Sequence, residues 1–205
     1  MEDLRQQTVD TYNRSAKELA EYFRGIGPRV KYIDAALELA GNPDGPRVVE
    51  IGCGDGRDAK DIVGKVDWYL GVDISEELIK LAREHVPKGN FEVADAVTFE
   101  YPKDLDVVFA FASLLHLDKD EVRTVLGKVN EALRPGGIFY ISTKWDAEYS
   151  QRVKDDRFGR RAFYLYNAEI ITQLAGDDYE VASNQREVIG RTEWLELALR
   201  KTGSE

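Results

Sequence analysis

The stretch Val48-Val49-Glu50-Ile51-Gly52-Cys53-Gly54-Asp55-Gly56-Arg57-Asp58-Ala59 constrains this chain more than any other. An apolar run followed by glycines at alternate positions describes a strand that turns sharply into a helix, because glycine takes positive φ freely and lets a ligand approach closer than a Cβ allows. Such a turn lies where open parallel sheets bind small molecules, in the crevice at the carboxyl ends of the strands. The dinucleotide fingerprint G-x-G-x-x-G would need its third glycine where Arg57 stands, and it presents the helix N-terminus to pyrophosphate. Glu50 and Asp55 place negative charge there instead, so the turn suits a ligand with cationic character. A purely structural strand-to-helix turn is the competing reading of these glycines taken alone.

Further units follow at regular intervals. Leu70-Gly71-Val72-Asp73-Ile74-Ser75 is a second short strand ending in an acid, 23 residues after Glu50. An acid at that separation hydrogen-bonds a ribose diol in nucleotide-binding βαβ units. Ser75 reads as an N-cap, with Glu76 and Glu77 in the first turn of a helix whose buried face is Leu78, Leu81 and Ala82. Phe91 to Ala94 forms a third strand, with Asp95 and Ala96 just beyond it. Leu105 to Phe111 is apolar enough to be buried on both faces of a parallel sheet. Asp118 and Glu121 have capping-box spacing before the helical repeat Val122, Val125, Leu126, Val129 and Leu133. Leu133-Arg134-Pro135-Gly136-Gly137 stops that helix, and a fifth strand is expected from Ile138 to Thr143.

Taken in order, the Glu50–Gly56 turn, Asp73, Asp95-Ala96, the Ala112-Ser113-Leu114-Leu115-His116-Leu117 segment and the Leu133–Gly137 turn resemble the motifs of the class I S-adenosylmethionine-dependent methyltransferases. The resemblance implies an α/β, Rossmann-like doubly wound sheet of seven strands, mostly parallel, with an antiparallel C-terminal hairpin and helices on both faces. It implies one domain with three parts: a helical lid over 1–41, a cofactor-binding core over 46–144, and an acceptor-side insert and hairpin over 145–205. S-adenosylmethionine is the implied cofactor and S-adenosylhomocysteine its product. Glu50, Gly52, Cys53, Gly54 and Gly56 would hold the methionine end, Asp73 and Ile74 the ribose, and Asp95 and Ala96 the adenine, with Phe111 and Tyr12 beside them. Trp145, Arg161, Tyr164 and Tyr166 are the implied acceptor wall. His116 is the candidate general base, because its ordinary pKa is near 6.5; a satisfied loop histidine is the alternative. His85 reads as structural.

The flanks are read from spacing. Tyr12, Ala16, Leu19, Ala20 and Phe23 recur at helical intervals, as do Val30, Ile33, Leu37 and Ala40, with Gly25-Ile26-Gly27-Pro28 as a hinge between them. A lid and an ordinary packing helix both fit this pattern. At the other end, Tyr179 to Ser183 and Glu193 to Arg200 are expected strands joined by a loop over 184–192.

Composition narrows the function. A chain of 205 residues with 43% hydrophobic content buries a substantial single core. It carries no apolar run of membrane-span length and no signal-peptide pattern after Met1, so a cytoplasmic location with no membrane partner is expected. A single cysteine excludes an intrachain disulfide and a cysteine-zinc cluster, and with two histidines no metal site is expected. A net charge of −10 opposes nucleic acid, whose phosphates need a Lys/Arg surface. Arg152 to Arg161 is a basic exception, read as a solvated loop or a recognition element for an anionic group. The Asn/Asp-Pro-Pro-Tyr motif of exocyclic-amine methyltransferases is absent after the fourth strand, Cys53 belongs to the glycine turn, and Asp146 is a lone carboxylate. Metal-independent, in-line methyl transfer to an oxygen or nitrogen of a small molecule is therefore the expected activity. A nucleotide-dependent oxidoreductase with an atypical loop, a noncatalytic cofactor-binding domain, and a protein or RNA acceptor are the alternatives.

Overall fold

A computed structural model describes residues 4–203. Three helices come first, α1 (Leu4–Arg14), α2 (Ala16–Ile26) and α3 (Val30–Leu39). The alternating core follows as β1 (Arg47–Ile51), α4 (Ala59–Ile62), β2 (Trp68–Asp73), α5 (Glu76–His85), β3 (Asn90–Val93), β4 (Leu105–Phe111), α6 (Lys119–Ala132) and β5 (Leu133–Lys144). A hairpin of β6 (Ser150–Asp156) and β7 (Gly159–Leu165), helix α7 (Ala168–Ala175), and strands β8 (Tyr179–Ile189) and β9 (Thr192–Lys201) complete it. The seven-stranded sheet has the order β3-β2-β1-β4-β5-β9-β8; its first five strands are parallel and its last two antiparallel. This is the Rossmann-like architecture expected.

Every residue of β4 is buried: its apolar side chains pack into the core, and Asp106 accepts from Arg47 N and pairs with Arg134. Alternation along the strands divides the core between the two faces of the sheet. Val49, Ile51, Val108, Ala110 and Phe139 pack with Val125 and Val129 of α6 and Ile171 of α7. Val48, Val107, Phe109, Ile138 and Tyr140 pack with Ile33 of α3, Ile62 of α4 and Ile79 of α5. The strand order reverses between β1 and β4, and the crevice at their carboxyl ends is where such sheets take ligands.

The helix starts follow their caps. Ser75 Oγ accepts from Leu78 N, and Asp118 makes a reciprocal capping box with Glu121. Three segments differ from the expectation. The Leu133–Gly137 turn is itself the irregular start of β5: Leu133 pairs with Leu105 before a register shift, and a Cβ on Gly137 would lie 3.0 Å from the Leu105 carbonyl oxygen. The stretch expected to loop over 184–192 extends β8 to Ile189, leaving Gly190 and Arg191 as the turn. Polar Asn184, Gln185, Arg186 and Glu187 hide an edge strand, whose solvent-facing side needs no apolar residues. The basic segment is the paired hairpin β6–β7 and not a loop.

The N-terminal helices break at Ser15, whose hydroxyl donates to the Phe158 carbonyl, before the Gly27-Pro28 break. Thr11 Oγ1 donates to Arg160 O, and Thr8 Oγ1 accepts from Ala162 N, so α1 lies against the length of β7. Among the described residues no helix is long and apolar enough to cross a membrane.

Candidate functional site

The glycine turn is built as its spacing demands. Gly52, Gly54 and Gly56 have φ of +70°, +57° and +79°, a region that side chains with a Cβ resist. A Cβ on Gly52 would lie 2.3 Å from Ser113 Cβ, so this position also needs glycine for space. Asp73, at the end of β2, clamps the turn: its carboxylate accepts from Gly54 N at 2.9 Å and from Ser75 N at 2.8 Å. Burial raises the Asp73 pKa despite those two backbone donors.

A cavity of about 170 Å³ opens over this turn. Gly52, Cys53, Gly54, Asp73, Ile74, Asp95, Ala96 and Phe111 line it, and Tyr12 and His116 close one side. Asp95 accepts from the Arg5 guanidinium at 2.7 Å and from Val97 N at 3.0 Å. Burial alone would raise its pKa, but these donors hold it below the usual carboxylate value. Arg5 also pairs with Glu121 at 2.8 Å, pinning α1 across the cavity.

Six expected site residues lie outside the cavity lining. Glu50 is buried behind the turn, where it accepts from the Tyr69 hydroxyl at 2.6 Å; burial, then the Asp58 carboxylate, push its pKa up. Gly56 serves packing, since a Cβ there would press on Val86 and Ala82 of the α5 end. Tyr166 is fully buried and donates to the Leu117 carbonyl. Tyr164 stacks on Tyr149, and Trp145 lies under the Arg186 guanidinium. Arg161 pairs with Asp156 and stands behind Tyr12, 5.7 Å from its ring centre. Helical and strand spacing report which residues share a face; they do not report which face meets a cavity.

His116 lines the cavity, and both of its ring nitrogens have partners. Its Nδ1 lies 2.7 Å from the Ala162 carbonyl oxygen, which only accepts, so Nδ1 carries the hydrogen. Nε2 is then the acceptor for the Tyr12 hydroxyl at 2.8 Å. Burial pushes the ring pKa down to about 3. His116 is a neutral ring that orients the Tyr12 phenol.

Comparison with known proteins agrees with this geometry. A family model described as a methyltransferase domain matches residues 48–137, from β1 through the glycine turn to the start of β5. That match takes in the parallel core of the sheet and spans less than half of the chain. It is 32% identical over 126 residues to trans-aconitate 2-methyltransferase of Variovorax paradoxus, a match covering 60% of this chain and 48% of that protein. It is 29% identical over 121 residues to a ubiquinone biosynthesis O-methyltransferase of Stutzerimonas stutzeri, covering 56% and 50%. The chain thus spans about half the length of these curated relatives. Magnesium protoporphyrin IX methyltransferase of Synechocystis has the same fold, with a TM-score of 0.74 at 15% identity over 98% of this chain and 99% of that one.

Several wall residues of this cavity escaped the sequence reading. Asp58 is buried and accepts from Arg29 N and Nη1 at 2.7 and 2.8 Å and from Arg57 at 2.5 Å. Asp55 pairs with Arg24. Asp55 and Asp58 are therefore matched by arginines in space, and of these Arg29 and Arg57 line the cavity. Arg57-Asp58, directly after the last glycine, carried a local signal; Arg29 and Arg5 come from the N-terminal helices and carried none. Among the described residues no group of three metal-ligating side chains occurs.

Proposed function

We propose that the chain transfers the methyl group of S-adenosylmethionine to an oxygen or nitrogen atom of a small-molecule acceptor, without a metal ligand set. The observation that supports it most is the Asp73–Gly54 clamp facing the cavity. Gly54 lines open space, with nothing within 4 Å of a Cβ built there, so the turn leaves room for a ligand against its backbone. Each Asp73 oxygen accepts one backbone N–H and keeps a lone pair, which suits a ribose diol. Asp95 and Ala96, in the lining of the same cavity, suit an adenine edge. The relatives' names point to small molecules, and one is an O-methyltransferase.

Held by the Gly52–Gly54 turn, Asp73 and Asp95, the cofactor would supply a methyl carbon made electrophilic by its sulfonium, open to in-line displacement by the acceptor atom with sulfur as the leaving group. The chain contributes placement and exclusion of water. Phe23, Phe111 and Leu114 form apolar wall, and the Tyr12 phenol, held by His116, fixes the side where α1 covers the cavity. With His116 neutral and turned to Tyr12, the arrangement favours an acceptor already ionised in water, or a neutral amine, over one that needs a strong base. Helix α1 acts as the lid, with Arg5 giving up or sharing Asp95 when adenine enters.

Calorimetry tests the reading. S-adenosylhomocysteine should bind, and at 100-fold excess over its Kd stabilise the fold by about 2.7 kcal/mol, visible as a raised Tm. NAD(P) should do neither. Binding of NAD(P) with none of S-adenosylhomocysteine overturns the proposal. Labelled methyl transfer to a panel of carboxylate, phenol and amine acceptors identifies the acceptor atom.

A further inference from the structure

We propose that Lys144, Arg161, Arg152 and Lys154 form an anion-binding subsite that holds a carboxylate or phosphate of the methyl acceptor. This rests on the methyl-transfer reading above. The subsite lies at the carboxyl end of β5, beside the cavity and outside its lining.

The hairpin register brings these groups together. Lys154 pairs with Arg161 and Arg152 with Phe163, and directly opposed residues of an antiparallel pair project from the same face. Lys144, the last residue of β5, places its ammonium 3.5 Å from the centre of the Phe163 ring, and the Arg161 guanidinium lies 5.5 Å from the same centre. Phe163 in turn touches the His116 ring, with centres 4.9 Å apart, and His116 lines the cavity. The cationic cluster is therefore one aromatic ring removed from the cavity wall.

Its charges do not balance. Arg161 and Lys154 share the single carboxylate of Asp156, at 2.7 and 2.9 Å, and Arg152 takes Asp146 at 2.6 Å. Lys144 makes no ion pair with any described residue; the Phe163 face is its recorded partner. Four cations thus face two carboxylates in a chain whose net charge is −10. The Arg161 side chain is 7% exposed, and its Nε is buried with no acceptor. Arg152 and Lys154, at 64% and 61%, form an open rim above that floor. A half-buried ammonium without a counter-ion is unfavourable, and a ring face compensates it only in part. Burial and the nearby Lys154, Arg161 and Arg152 accordingly push the Lys144 pKa down to about 8. An anion bound between Lys144 and the rim relieves the excess charge and finds donors already oriented.

The test is calorimetric titration of the full chain with citrate and with inorganic phosphate, using glycerol as the neutral control, at low and high salt. At least one anion should bind and weaken with salt, while glycerol does not bind. Lys144→Gln should weaken that anion at least tenfold and the exposed Arg152→Gln severalfold, both with S-adenosylhomocysteine affinity unchanged. The anion that binds assigns the group, citrate a carboxylate and phosphate a phosphoryl. Absence of binding by either anion, or equal affinity in wild type and both variants, overturns the subsite. Should Lys144→Gln lose its native circular dichroism, Arg152→Gln decides alone. S-adenosylhomocysteine binding without anion binding removes this proposal and leaves methyl transfer standing. Anion binding through Lys144 without S-adenosylhomocysteine binding removes methyl transfer, and with it the assignment of the anion to a methyl acceptor.

Discussion

At the scale of single residues, two side chains carry the reading of the cavity. Asp73 joins the turn to the end of β2 through two backbone N–H groups, so its removal unmakes a ligand contact and a loop anchor together. Asp73→Ala should weaken S-adenosylhomocysteine by about 1 to 3 kcal/mol, read by calorimetry; an unchanged Kd would take Asp73 out of the site. His116 is the opposite case, since its ordinary pKa invites a base and its surroundings remove one. With the folded pKa near 3, the pH profile of turnover should show no inflection belonging to His116 between pH 5.5 and 8, the range around the ordinary histidine value. A wild-type inflection near 6.5 that vanishes in His116→Gln would restore the base.

At the scale of elements, local signals located starts and stops well. The Asp118–Glu121 box begins α6 where the spacing puts it, with the Asp118 carboxylate accepting from Asp120 N and Glu121 N. Asp118→Ala should lower stability by about 1 kcal/mol, a fall of about 2 to 4 °C in Tm for a chain of this size. No change would mean that packing of Val122, Val125 and Val129 holds that end without the cap. Elements built from polar residues were less legible. The second half of β8 and the β6–β7 hairpin read as loops because Asn184 to Glu187 and Arg152 to Asp156 have no apolar alternation, and only a partner strand shows that their backbones are paired. The split between α1 and α2 at Ser15 is likewise a tertiary matter, tied to the Phe158 carbonyl of the distant hairpin.

At the scale of the whole molecule, burial sets how stability follows pH. Glu196 on β9 is 3% exposed, accepts from Ser142 Oγ at 2.7 Å, and has a pKa raised by burial to about 7 from 4.5. A carboxyl whose folded pKa lies above the unfolded one stabilises below the unfolded value, and that contribution is lost as pH rises through 7. His116, with a folded pKa below its unfolded 6.5, acts in the other direction: stability is lost as pH falls from 6.5 toward 3. Glu196→Gln should therefore raise Tm at pH 8, by a free energy on the order of 3 kcal/mol at most, and the gain should disappear by pH 5. A gain independent of pH would mean that repacking is responsible.

The sequence by itself determined the order of strands and helices in the core, the positive-φ turn, and the acids at the ends of β2 and β3. These are local properties, written in neighbouring residues through periodicity, glycine spacing and caps. Only the tertiary structure decided that Glu50 lies behind the turn, that Asp55 and Asp58 are neutralised by arginines from the N-terminal helices, and that His116 is a neutral partner of Tyr12. It also decided that the basic hairpin gathers unbalanced charge beside Lys144. Charge and proton affinity depend on burial and on neighbours distant in sequence, so they exist only once the chain has closed on itself.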